Sequence, residues 1–118
     1  MKIMAVVAVV VCSLMHATWA EAGAKKVRKL DVLNAKVVGK KLLHETGHVT
    51  LLSTGKVKGR LVKKKVSGTW VWKGRKVCTD LIWGGERTGA ACRTVAIDGD
   101  TVYFIRSNGK QTQYTIKN

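Results

Sequence analysis

Proline is absent from the chain, phenylalanine occurs once, and only 7 Asp+Glu stand against 22 Lys+Arg. The scarcity of acid is the most restrictive of these shortages. It leaves no paired-carboxylate motif for acid–base hydrolysis. With a formal charge of +15 and a pI near 10.2, it also excludes an acidic module and directs attention to anionic partners. No linker, internal repeat or low-complexity segment divides the chain, and 118 residues make one domain. Cysteine is limited to Cys12, Cys78 and Cys92, and long apolar runs to a single one at the start.

That run extends from Ile3 to Met15 behind Lys2, and His16 to Ala20 then turns polar and small. A membrane-spanning helix needs about 20 apolar residues, more than this run provides. A basic start, a short apolar centre and a small-residue exit read as a secretory signal peptide over residues 1–20. Thr18 and Ala20 fit cleavage after Ala20, while Ala20 and Ala22 fit cleavage after Ala22. Cys12 follows Val11 in the middle of the run, a poor site for lipid attachment. The expected product is a soluble domain over residues 21–118, periplasmic or extracellular, with no transmembrane segment. Cys78 and Cys92 then remain as an even pair in an oxidising compartment, which reads as a disulfide. It closes a loop of 15 residues, worth about 3 kcal/mol in the chain-entropy model. The spacing is not the C-x-x-C of a redox pair.

Within the mature chain, Val27, Leu30, Leu33, Val37 and Val38 recur at helical spacing, which predicts a short N-terminal helix over Val27 to Val38. Beyond Gly39 the period changes. His48 to Ser53, Lys56 to Val66, Gly68 to Trp72, Lys76 to Trp83, Arg93 to Ile97, Thr101 to Ser107 and Gln111 to Lys117 are rich in β-branched and aromatic residues and read as strands. Turns are expected at Thr46-Gly47, Thr54-Gly55, Lys73-Gly74, Gly84-Gly85, Asp98-Gly99 and Asn108-Gly109. A two-residue turn at Asn108-Gly109 would set Tyr103 opposite Tyr114 and Thr101 opposite Ile116. Thr101 to Ile105 is apolar on both faces, which suits a curled sheet. The fold class is therefore mainly β, an antiparallel meander rolled into a small barrel or curled sheet. So short a chain favours an interior filled by side chains, with Trp70 and Trp72, on one strand face, as core plugs.

Leu30-Asp31-Val32-Leu33 leading to Gly39-Lys40-Lys41-Leu42, the Thr54-Gly55 turn, Gly68-Thr69-Trp70-Val71-Trp72, Val77-Cys78, Cys92-Arg93-Thr94-Val95, Asp98-Gly99 and Tyr103 follow in order. This arrangement resembles a family of small exported bacterial proteins of unknown function. The resemblance covers nearly the whole mature chain. It implies a lipocalin-like or related β-barrel with a Cys78–Cys92 bridge, and it brings no catalytic residues. The lysine density of residues 56–76 and the segment His44-Glu45-Thr46-Gly47-His48 depart from the family pattern.

Residues 44–48 spell H-E-x-x-H, the zinc-peptidase signature, which works only with both histidines on one helical face. Gly47 and the β-branched Val49-Thr50 oppose such a helix. No acid, His or Cys follows between residues 49 and 77, where nine Lys+Arg would disfavour a dication. The expectation is a hairpin turn with two solvated histidines, and no metal, cofactor or catalytic residue is assigned. A zinc-dependent hydrolase using His44, Glu45 and His48 is the minor alternative.

The charge is uneven. Residues 21–79 carry 16 Lys+Arg and three acids, whereas residues 80–118 carry five and four. The densest stretch is Lys56, Lys58, Arg60, Lys63, Lys64 and Lys65, continued by Lys73, Arg75 and Lys76. At Leu61-Val62 the alternation slips, as a bulge or bend would cause. On one account these lysines guard a sheet edge against aggregation. On the other, they form an anion-binding face. The imbalance exceeds the net charge of about 2–8 that solubility asks of a small domain, and the second account is adopted. The expected partner is an anionic polymer or membrane surface such as lipopolysaccharide or acidic polysaccharide. Nucleic acid fits poorly, with no OB, RRM or KH signature. The leading expectation is thus a non-enzymatic, exported β-domain that binds anionic envelope or extracellular material. The alternative is a calycin-like carrier of a small apolar ligand, which requires an internal cavity of about 300 Å³ or more. Inhibition of a lysozyme fits the size, but those enzymes are themselves basic.

Overall fold

The computed structural model describes residues 23–118; the expected signal peptide over residues 1–20 and its candidate cleavage positions lie outside the described residues. Its elements are β1 (Lys25–Lys26), α1 (Leu30–Lys36), β2 (Lys41–His44), β3 (Gly47–Leu51), β4 (Lys56–Leu61), β5 (Lys64–Lys73), β6 (Lys76–Trp83), β7 (Glu86–Asp98), β8 (Thr101–Ile105) and β9 (Gln111–Lys117). From β2 to β9 each strand pairs antiparallel with the next, and β9 returns to pair with β2. Eight strands therefore close a barrel. β1 adds two residues to β7, at Ala96 and Ile97, past the last β6 pairing at Arg93.

Closure requires strands to bend sharply, and inward-facing glycines permit it. A Cβ at Gly59 would lie 2.2 Å from the His48 carbonyl oxygen, and one at Gly68 would lie 2.2 Å from that of Asp80. Neither position can carry a larger residue without separating β3 from β4 or β5 from β6.

One end of the barrel is closed. α1 lies between Val27, whose amide donates to the Val95 carbonyl, and Gly39, whose amide donates to Leu51. Leu33 and Val37 of this segment are fully buried in one cluster with Leu42, Val77, Val95 and Val102. The other end carries the β2–β3, β4–β5, β6–β7 and β8–β9 turns and has no helix across it.

Several expectations are corrected. The helix is shorter than Val27 to Val38, because Val27 is held by strand-like pairing beside β7. Lys56 to Val66 is not one strand with a bulge: Val62 and Lys63, at φ +49° and +65°, form a tight hairpin turn between β4 and β5. β2 is an additional strand, and β7 begins at Glu86, ahead of the expected Arg93. The β8–β9 register is one residue from the expected one, with Thr101 opposite Thr115 and Val102 opposite Tyr114. The cause is a three-residue loop in which the Gly109 amide donates to Arg106 and the Arg106 amide to Lys110. The edge-guarding account of the lysines also lacks an edge, since β4 and β5 are paired on both sides.

Candidate functional site

Strand alternation sends Val57 and Leu61 of β4, Val66 of β5, and Leu81 and Trp83 of β6 inward, where they form apolar walls. Val49 and Leu51 of β3 and Phe104 of β8 complete them. They do not meet at the centre. They enclose a cavity of about 420 Å³ that opens at the helix-free end. The expected filled interior is thus corrected at this end of the barrel, and the volume falls within the roughly 300–1,000 Å³ typical of small-molecule sites. Eight strands are enough to hold one small ligand when the inward side chains are Val, Leu and Thr rather than larger groups.

Polar groups are few and placed. Thr79, Thr112 and Tyr114 reach the cavity from β6 and β9. A register shift between Leu81 and Ile82 leaves Thr88 of β7 as an extra residue; its hydroxyl donates to the Leu81 carbonyl at 3.2 Å and its side chain lines the cavity. His44 Nδ1 accepts from the Thr46 amide at 3.2 Å and meets the Thr46 hydroxyl at 2.8 Å. Its ring tilts against that of Tyr114 with centroids 5.4 Å apart. At the rim, Trp83 Nε1 donates to the Leu61 carbonyl at 2.9 Å, and Lys64 Nζ sits 4.6 Å from the centre of the Trp83 ring.

Arg93 is the one cation that β7 turns into the cavity. Its Nη1 donates to the Thr79 hydroxyl at 3.1 Å. Burial pushes its pKa below the ordinary guanidinium value, and the charge of Arg106 adds to this while Tyr114 opposes it. Burial pushes the Tyr114 phenol upward, partly offset by the Arg93 charge, so the phenol keeps its proton at neutral pH and can donate a hydrogen bond.

The residues expected to bind anions divide into groups. Lys56, Lys58 and Arg60 share the outer face of β4. Arg60 stands directly opposite Lys65 on β5 and opposite His48 on β3, and its Nη1 donates to the Lys63 carbonyl at 3.0 Å. These form one basic patch. Lys64 points instead to the barrel mouth, over Trp83. Lys73, Arg75 and Lys76 surround the β5–β6 turn at the other end, and Lys73 is about 26 Å along β5 from Lys65 at roughly 3.3 Å per residue. Lys56, however, stands opposite Thr69, four residues or about 13 Å along β5 from Lys73, so the expected stretch from Lys56 to Lys76 runs along one outer face from which Lys64 departs. Among the described residues the ion pair present is Arg87–Asp80, in which Arg87 Nε and Nη2 reach the carboxylate at 2.9 and 2.5 Å. Among the described residues no acid forms an ion pair with the patch.

Cys78 and Cys92 are cross-strand partners on β6 and β7 and are disulfide-bonded. The H-E-x-x-H segment is the β2–β3 hairpin. His44 faces inward and His48 outward, both half-buried rather than solvated, so the two rings do not share a face. Trp70 is buried and its Nε1 donates to the Leu52 carbonyl at 2.8 Å, as a core residue. Comparison with protein-family models, with curated proteins and with solved structures found no match.

Sequence reading missed Arg93 and Tyr114 as site residues and held the cavity only as an alternative to a filled interior. One signal was present. Arg93 shares strand parity with Val95, which is fully buried, so a cation stands on the inward face of an otherwise apolar strand.

Proposed function

We propose that this protein is an exported β-barrel that holds a small, largely apolar molecule in its interior. The observation that carries this reading is the cavity of about 420 Å³, apolar on most of its walls and open at one end only. Burial of apolar ligand surface there would supply affinity, at about 25 cal/mol per Å² before the costs of association. The signal-peptide pattern and the cross-strand disulfide support export. The test uses the neutral fluorophore N-phenyl-1-naphthylamine. Its emission should rise on mixing with the protein, fall again when decanol competes, and stay low with the folded variant Leu81→Trp, whose indole fills the mouth. No enhancement with the wild-type protein, together with no binding of decanoate by calorimetry, would refute the reading.

A second surface has its own support. Lys56, Lys58, Arg60 and Lys65 lie on strands that have no free edge, and Lys63 lies in the turn that joins them, so aggregation control does not account for them. We infer that this patch docks the barrel onto anionic envelope material such as lipopolysaccharide phosphates. Retention on heparin should fall steeply with salt, because neutralising each phosphate or sulfate releases counterions. Reversing Lys58, Lys63 and Lys65 to Glu should abolish most of that retention, whereas reversing Lys73, Arg75 and Lys76 should preserve most of it. Equal losses from both sets would reduce the patch to net charge alone.

A further inference from the structure

The cavity contains a charge that an apolar ligand does not explain. Arg93 projects among Phe104, Thr79, Thr112 and Tyr114, half-buried, and its one side-chain hydrogen bond among the described residues goes to a neutral hydroxyl. A guanidinium has five N–H donors, and a half-buried one ordinarily faces a carboxylate. Here the charged group that acts on it among the described residues is a second cation. Arg106 follows β8, and continuing the register beyond Thr94 opposite Ile105 sets it across from Arg93. Like charges directly opposite on adjacent strands repel, and Arg93 also loses solvation as the barrel closes around it. The only described carboxylate in an ion pair, Asp80, is on the outside and engaged by Arg87. A barrel built merely to enclose hydrocarbon would gain from an apolar residue at position 93, because an uncompensated cation in an apolar cavity costs stability.

We propose that the bound molecule is an amphiphile with a carboxylate head, such as a medium-chain fatty acid, whose head is held by Arg93. This rests on the cavity being the ligand site. Two donors of the Arg93 fork match the two carboxylate oxygens, and the Tyr114 phenol is placed to donate to the same head. Arg106 adds attraction from the rim. The hydrocarbon tail lies against Val57, Val66 and Leu81. The ligand thereby supplies the counter-charge that the described residues lack.

Isothermal titration calorimetry of the exported protein with decanoate, decanol and decylamine tests this, on wild type and on Arg93→Met, which keeps an unbranched stem and removes the charge. Wild type should bind decanoate on the order of ten- to a hundredfold more tightly than decanol, as expected for hydrogen bonds to a charged group, and decylamine most weakly. Arg93→Met should lose that preference, binding decanoate no more tightly than decanol, and should melt no lower than wild type. Equal affinities for decanoate and decanol in the wild type would overturn the assignment of the head group and leave the apolar cavity standing. An undiminished decanoate preference in Arg93→Met would overturn the role of Arg93. Binding of none of the three would remove the cavity reading and this inference together.

Discussion

The two ends of the barrel are built to different standards. At the closed end, Leu33, Val37, Leu42, Val77, Val95 and Val102 are almost completely removed from solvent and belong to one cluster. At the open end, Leu61, Leu81, Trp83 and Tyr114 are only partly covered, the walls stand apart, and Arg93, with no ion-pair partner among the described residues, faces the cavity. The same strands run through both regions, so the difference comes from side chains and from α1, not from backbone pairing. Cooperative stability is concentrated where apolar groups interlock. The capacity to admit a ligand is kept where they do not.

The largest expected effect breaks this asymmetry at the closed end. Leu33→Ala deletes a fully buried side chain and should cost about 2–5 kcal/mol in denaturant unfolding, because the sheet around it cannot collapse into the gap. Leu81→Ala, at the partly covered mouth, should cost clearly less. Equal costs would mean that the mouth is packed as tightly as the base.

A smaller effect, of opposite sign, is expected at the β4–β5 turn on the open rim. Val62 and Lys63 both adopt positive φ, where a β-branched residue is strained by roughly 1–2 kcal/mol. Replacing them with Asn-Gly, which favours this geometry, should raise the unfolding free energy by about 1 kcal/mol, with the β4–β5 register intact by NMR. A loss of stability would show that the Val62 side chain contributes packing at the cavity rim that outweighs its backbone strain.

The smallest effect concerns the outer wall. Hydrogen bonding and the charge of Arg87 hold the Asp80 carboxyl below its ordinary value of 3.8. A carboxylate depressed in this way contributes its stability above its unfolded-state pKa and loses it as pH falls through the lower folded value. The pair is exposed, so Asp80→Asn should leave the melting temperature at pH 7 unchanged within error and slightly flatten its decline below about pH 4. A large change at pH 7 would mean that the outer wall, like the base, is important for stability.

Much of the architecture was legible in the residues. Period-two alternation and the glycine-containing turns at Lys73-Gly74, Gly84-Gly85 and Asp98-Gly99 marked the β6–β7–β8 meander, and the even cysteine pair marked its staple. The Val62-Lys63 turn was not legible, because neither residue prefers positive φ; closure of the sheet imposes it. The Asn108-Gly109 turn was recognised but its length was not, since the same dipeptide serves two- and three-residue loops, and one residue of difference moved the whole β8–β9 register. The site was hidden for a related reason. Whether inward side chains meet or leave a space depends on strand number and stagger, which one sequence does not state. The lysine run was conspicuous but divided by a turn, whereas the isolated Arg93 was inconspicuous and faces the cavity.

The most direct test of the interior as the ligand site is a ¹³C-methyl NMR titration of the folded protein with decanoate. Saturable shifts at Val57, Val66 and Leu81, with Leu33, Val37 and Val102 unmoved, are the predicted result. Shifts absent from the cavity methyls, with perturbation confined to the outer Lys56–Lys65 surface, would contradict it.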